Sequence, residues 1–171
     1  MPGGRVKIID RGWAKIKRAL LRTRSGRTAK VGVQGAEAEA TYEGGWTNAT
    51  NAAVHEYGTI DGKIPERSPM RSAFDENIQK YERIAAKSAK RILGGEAEVD
   101  GETLLLGEKY RSDILRKIKA GLEPGIADST WEGEASTGKP RADYGDTPLM
   151  VTGQFWNSFS VQVVDLSGVE R

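Results

Sequence analysis

The chain has 171 residues, of which 37% are hydrophobic, 7% aromatic and 29% charged, with 21 glycines and a formal net charge of +2. That is enough for one domain with a real core and much polar surface left for partners. There is no cysteine, which removes disulfides and thiolate chemistry, and no apolar run approaches the ~20 residues of a membrane span. Met1-Pro2-Gly3-Gly4 lacks the charged-then-apolar layout of a signal peptide, so a soluble, unexported chain is expected.

Charge is unevenly spread. Residues 1–31 hold ten Lys/Arg against Asp10 alone, whereas residues 36–61 hold Glu37, Glu39, Glu43, Glu56 and Asp61 with no Lys or Arg. In chain order, Arg5 to Ile9 alternates as a short strand. Asp10 is placed to cap a helix in which Trp13, Ile16, Leu20 and Leu21 share one face and the rest is basic. Ser25-Gly26 ends it, and Ala29–Val33 reads as a second strand. From Gln34 to Asn48 the composition turns to Gly, Ala, Glu and Thr, as expected of an arm or hairpin.

Thr50 is a candidate cap for a short helix through Tyr57, which Gly58 ends. Asp61-Gly62 signals a turn, Pro65 pushes Ile64 towards extended geometry, and Ser68-Pro69 reads as the cap and first residue of a new helix. The apolar residues Met70, Phe74, Ile78, Tyr81, Ala85, Ala89 and Ile92 carry that helix to about Leu93, where Gly94-Gly95 stops it. Asp100 is a candidate cap for another helix to Ala120, with Leu104, Gly107, Tyr110 or Arg111, Ile114 and Ile118 on one face. Residues 122–148 lack periodicity, Thr152 is placed to cap a single turn through Asn157, and Phe159–Val163 alternates as a closing strand. The expected fold is α+β: a small, mainly antiparallel sheet of Val6–Ile9, Ala29–Val33 and Phe159–Val163, covered by helices 69–93 and 101–120. Segments 34–49 and 122–148 are expected to project from this single domain.

The residue inventory offers enzymes little. His55 is the only histidine, and His55-Glu56 is followed by Tyr57-Gly58-Thr59, so no HExxH metal helix exists. A zinc site would have to rely on carboxylates almost alone. No Gly-x-Ser-x-Gly elbow occurs, and neither Gly3-Gly4-Arg5 nor Gly94-Gly95-Glu96 has P-loop spacing. No cofactor and no metal are expected. His55 is read as a structural or interface histidine at a helix end, and Glu56 as lying on the solvated face. The basic N-terminal helix admits three readings: a solvated face, a protein partner or nucleic acid.

His55-Glu56-Tyr57-Gly58-Thr59, then Ile64-Pro65-Glu66-Arg67-Ser68-Pro69-Met70-Arg71, and the later Pro148-Leu149-Met150-Val151-Thr152-Gly153-Gln154-Phe155-Trp156-Asn157-Ser158 together resemble a tailed-phage family. It comprises the Mu-like virion morphogenesis (tail completion) proteins and related siphophage neck components. Leu106-Gly107 to Gly121-Leu122 resembles the helix between the two motifs, and the likeness covers roughly residues 50–163. Pro69-Met70 stands where the family usually has an aromatic, and Val151 where it usually has Asp.

The resemblance implies a non-enzymatic virion protein of the neck that completes the tail and joins it to the head as a homo-oligomeric ring, sixfold or twelvefold. Other neck proteins and the tail tube or terminator protein would be its partners, and DNA would pass through the lumen without sequence-specific binding. Localisation would be the virion, after assembly in the host cytoplasm. A tail terminator capping the tube is the alternative, and a DNA-binding packaging accessory acting through Arg18, Arg22 and Arg24 is one of another class. The motif residues carried over are His55, Glu56, Tyr57, Gly58, Thr59, Ile64, Pro65, Arg67, Arg71, Thr152 and Gly153. A ring of identical copies needs two complementary patches per subunit. Arg18 and Arg22 are expected to meet a neighbour's Glu37, Glu39 and Glu43, with Tyr42, Trp46 or Trp131 as apolar anchors. Exposed ion pairs contribute only ~0–1 kcal/mol each, so Trp46→Ala is expected to weaken assembly more than reversing Arg18 and Arg22.

Overall fold

A computed structural model describes residues 12–23, 26–41, 45–125 and 154–166, with nothing said of the Arg22 side chain. The expected strand Val6–Ile9 and the Asp10 and Thr152 caps lie outside these residues, as do all but the first residues of segment 122–148. The described elements are α1 (Trp13–Thr23), β1 (Arg27–Val33), α2 (Ala36–Glu39), α3 (Asn48–Tyr57), α4 (Pro69–Leu93), α5 (Val99–Ala120), α6 (Gln154–Asn157) and β2 (Phe159–Asp165). None of the described helices is long and apolar enough to cross a membrane.

The architecture is α+β. β1 and β2 pair antiparallel, with Ala29 opposite Val163, Val31 opposite Val161 and Val33 opposite Phe159. Side chains alternate across a strand, so these residues share the face against α5. The approach is closest at Gly107, where a Cβ would lie 2.5 Å from Val161 Cγ1 and 3.0 Å from Ala29 Cβ. Arg111 Nε adds a 2.7 Å hydrogen bond to the Phe159 carbonyl, tying α5 to the start of β2.

The core gathers where α5 meets the chain's last elements. Ile114, Ile118, Leu122, Ala52, Ala73, Phe155 and Phe159 form one buried cluster. Phe155 and Phe159 meet edge to face at 5.1 Å, the arrangement that the ring quadrupole favours. On α5 the expected apolar face holds at Gly107, Ile114 and Ile118, but Leu104 is exposed.

α4 and α5 run as a hairpin through Gly94-Gly95, with α5 lying closest to the strands and α4 packed along α5. The buried line of α4 is Pro69, Ala73, Tyr81 and Ser88. Phe74 and Ile78, expected in the core, are 42% and 44% exposed. The reason is polar: α4 is turned so that Tyr81 Oη reaches Asp113 and Ser88 Oγ reaches Glu102, both on α5. The α5 cap lies at Glu98, not Asp100, because Asp100 is engaged in a 2.8 Å ion pair with Arg27 at the start of β1.

Segment 34–49 returns on itself. α2 is followed by a single antiparallel bridge between Thr41 and Thr47, and the buried Asn48 side chain donates to Glu37 O at 2.7 Å. The α3 cap is Thr47, whose hydroxyl accepts from Thr50 N–H, so Thr50 is inside the first turn and not the cap. α1 touches the rest of the domain through Ala19, 6% exposed, while its apolar face stays open: Ile16, Leu20 and Leu21 are 37%, 49% and 58% exposed.

Candidate functional site

The first of the two motifs that carry the resemblance, residues 55–71, folds into one corner between α3 and α4. Gly58 ends α3 at φ +75°, and its backbone N–H reaches Val54 O at 2.7 Å. A Cβ there would sit 2.9 Å from Glu66 N and 3.1 Å from Ile64 O, so the returning strand of the corner demands glycine in both conformation and space. Thr59 closes the turn: its N–H donates to Ile64 O at 2.9 Å, and its hydroxyl accepts from Ile64 N–H at 2.9 Å. The Thr59 hydroxyl first, and then the Lys63 N–H that donates to Asp61 Oδ1, hold the Asp61 carboxyl below its ordinary value.

The corner then locks onto the end of α3. The His55 carbonyl accepts from Arg67 N–H at 2.9 Å and from Ser68 N–H at 3.0 Å. Ser68 occupies the cap position of α4 in the left-handed region, at φ 42°, and makes no side-chain cap bond. Its hydroxyl lies 2.9 Å from Glu56 O and 2.6 Å from Glu66 Oε1, so its single proton serves one of them at a time. Arg71 reaches both Glu66 and the Ser68 hydroxyl.

Glu56 supplies the cap that Ser68 does not. It is 4% exposed, contrary to the solvated position expected, and its Oε2 and Oε1 accept from Met70 N–H and Arg71 N–H at 2.9 Å each. A carboxylate on the first free N–H groups of a helix meets both their hydrogen-bonding need and the positive end of the helix dipole. The sequence signal was present but distant, since the capping side chain comes from the preceding helix, fourteen residues upstream of Met70.

His55 and Arg67 form the second half of the corner. Arg67 Nη1 lies 3.1 Å from His55 Nδ1, which makes Nδ1 the acceptor and leaves the proton on Nε2. Burial, and then the neighbouring guanidinium charge, lower the His55 pKa to about 4. The same guanidinium donates to Pro124 O at 2.8 Å and Gly125 O at 2.9 Å, anchoring the chain where it leaves α5. Burial also lowers the pKa of Arg67. Tyr57 is 72% exposed and contributes no packing to the corner, while Ile64 and Pro65 are half-buried along it.

A second polar cluster, absent from the sequence reading, sits between α4 and α5. Asp113 is 3% exposed. It accepts from Tyr81 Oη at 2.9 Å and pairs with Lys80 and with Arg116 at 2.6 Å. Burial works against this carboxylate, but the Lys80 and Tyr81 hydrogen bonds and the two cations prevail and hold its pKa below the ordinary value. Burial and Asp113 together raise the Tyr81 phenol well above its usual range. Tyr110 donates to Met70 O at 2.9 Å, and burial first, then the Glu56 and Asp75 charges, push it up to about 12. Phe74, Tyr81 and Tyr110 meet as a ring triad with centroids 5.6 to 5.7 Å apart. The only signal for this cluster was an acid at helical spacing from Tyr110, which reads equally as a solvated position.

Of the expected subunit-contact residues, Arg18 is exposed on α1, Glu37 and Glu39 on α2, and Trp46 before α3, at 44%. Tyr42, Glu43, Trp131, Thr152 and Gly153 lie outside the described residues. The structure therefore brings His55, Glu56, Gly58, Thr59, Ile64, Arg67 and Arg71 together and leaves the charged contact residues apart. The Glu56, Thr59, Arg67, Ser68 and Arg71 side chains are each engaged with backbone or with another member of the corner. Among the described residues no group of three or more His, Cys, Asp or Glu side chains is placed to hold a metal ion. No protein-family model, curated protein or solved structure matches the chain.

Proposed function

We propose that the chain is a non-enzymatic structural protein of a tailed-phage neck, which completes the tail and joins it to the head as a ring of identical subunits in the virion. The observation that carries this reading is the α3–α4 corner. One part of the resemblance is His55-Glu56-x-Gly58-Thr59 followed by Ile64-Pro65-x-Arg67, and most of these positions have a positioning task in one local structure. Glu56 caps α4, Gly58 permits the close return, Thr59 pins Ile64, and Arg67 ties the corner to the chain after α5. A motif spent wholly on geometry suits a part whose work is to present surfaces in a fixed relation. Other neck proteins and the tail tube or terminator would be its partners, and DNA would thread the lumen without base readout.

Electron microscopy of particles assembled without this protein tests the reading. Full heads and separate tails of correct length are expected. Tails of abnormal length would instead mark a terminator. Attached, complete particles together with salt-sensitive DNA affinity of the purified chain would mark a packaging accessory.

A further inference from the structure

Two apolar surfaces of this chain face solvent, and they are complementary in form. The first is a trough of about 420 Å³ between α4, α5 and β1, lined by Val31, Phe74, Ala85, Ala89, Ile92 and Leu106 among others. It is open because its walls are built from small residues where the helices would otherwise interlock. Ala85 and Ala89 on α4 leave room that no neighbouring side chain fills, while Gly107 on α5 brings its floor down onto Ala29 and Val161. The second is the convex stripe of α1, where Ile16, Leu20 and Leu21 recur at helical spacing and remain exposed.

The helix does not fill its own trough. Lys15, Arg18 and Ala19 face Ile92, Gly95 and the residues that open α5, so this side of α1 is held at the end of the α4–α5 hairpin. At ~100° per residue, Leu20 and Leu21 turn well away from Ala19. Charge favours a meeting with another copy. The described part of α1 carries Lys15, Lys17 and Arg18 and no acid. Along the outer lip of the trough α4 presents Asp75, Ile78, Glu82 and Ala86, with Arg71, held by Glu66, one turn before them and Lys90 one turn after. Neither Asp75 nor Glu82 is in an ion pair among the described residues.

We infer that the apolar stripe of α1 docks into the α4–α5–β1 trough of a second copy of this chain. The contact is heterologous, helix of one subunit into groove of the next, so each subunit keeps one free helix and one free groove until a ring closes. This deepens the ring proposed above and rests on it only for closure. It offers the α4 lip as an acidic partner of α1 in addition to residues 36–61, of which Glu37 and Glu39 stay exposed on α2 while Glu56 caps α4 of its own chain.

Because the 171-residue sequence has no cysteine, the test is direct. Leu20→Cys and Ala85→Cys, both at exposed positions, are made in separate chains, mixed, and oxidised mildly. The expected product is a disulfide between the two different chains, in excess of either like pair. By light scattering, Leu20→Asp is expected to weaken self-association ~30-fold or more, as loss of a central anchor does, with an unchanged circular dichroism spectrum. A like pair of Leu20→Cys chains, or an internal disulfide in the double variant with none between mixed chains, overturns the inference. Retained oligomers in Leu20→Asp overturn it while leaving the ring standing. A wild-type chain that stays monomeric at every concentration removes both.

Discussion

Replacing Glu56 by Gln isolates what its charge contributes, because the side chain keeps its length and shape. In the native corner both carboxylate oxygens accept from the start of α4, at 2.9 Å from Met70 N and 2.9 Å from Arg71 N. Gln retains one acceptor and turns an NH₂ group towards the other N–H. One charge-assisted bond, ~1.5–3 kcal/mol, is lost together with the interaction between a buried anion and the helix terminus, ~1 kcal/mol. The expected destabilisation is about 3 kcal/mol, which for a chain of this size lowers Tm by roughly 6–12 °C. Urea and thermal unfolding followed by circular dichroism measure it, and hydrogen exchange at the Met70 and Arg71 amides locates it. Glu66→Gln is the control. Glu66 is 52% exposed in its pair with Arg71, and a surface pair of that kind contributes ~0–1 kcal/mol. If Glu56→Gln unfolds within ~0.5 kcal/mol of wild type, or no earlier than Glu66→Gln, the capping role is wrong.

Three further outcomes follow from the same geometry. His55 has a folded pKa of about 4 against an ordinary 6.5, so between those values the unfolded chain binds a proton that the folded chain refuses. Stability is therefore unaffected by this group above pH 6.5 and falls by up to ~1.4 kcal/mol per unit as the pH drops towards 4, a slope that His55→Asn is expected to flatten in urea titrations between pH 5 and 6.5. Gly107→Ala forces a methyl group against Val161 and Ala29 and is expected to cost ~1–3 kcal/mol; a neutral result would mean that α5 does not lie as close to the sheet as described. Asp113→Asn removes the anion shared by Lys80, Tyr81 and Arg116 and is expected to cost ~1–3 kcal/mol, with non-additive coupling to Tyr81→Phe in a double-mutant cycle and additivity as the disproof.

Much of the framework was legible in the chain because it depends on near neighbours. The limits of α4, the stop at Gly94-Gly95, the left-handed Gly58 and the two strands all follow from spacing and turn chemistry within a few residues. What escaped depends on tertiary contact. Ser68 looks like a helix cap and occupies the position, but Glu56 performs the task because α3 delivers a stronger acceptor to the same N–H groups. Phe74 and Ile78 continue the apolar period of α4 yet lie at the lip of a trough, since the polar ties from Tyr81 to Asp113 and from Ser88 to Glu102 set the rotation of the helix. Asp113 and Glu102 illustrate the same point from the other side: a charge on a helix reads as exposed until the partner helix supplies its counter-ions. Arg18, Glu37 and Trp46, expected at a contact between copies, are exposed positions of the single chain.

The two-stranded sheet has a consequence for synthesis. β1 and β2 are separated in the chain by every described helix but α1, and the Gln34 side chain bonds to a carbonyl 126 residues away. At ~5–20 residues per second, a ribosome that has released β1 needs on the order of 10 s before β2 emerges. During that interval α4 and α5, whose pairing is local, have time to form their hairpin and offer Gly107 and Val31 a template face. The strand that must wait is bound first to a helix and only later to its own partner. Its register is then set by which residues fit under Gly107, before any ladder hydrogen bond has formed.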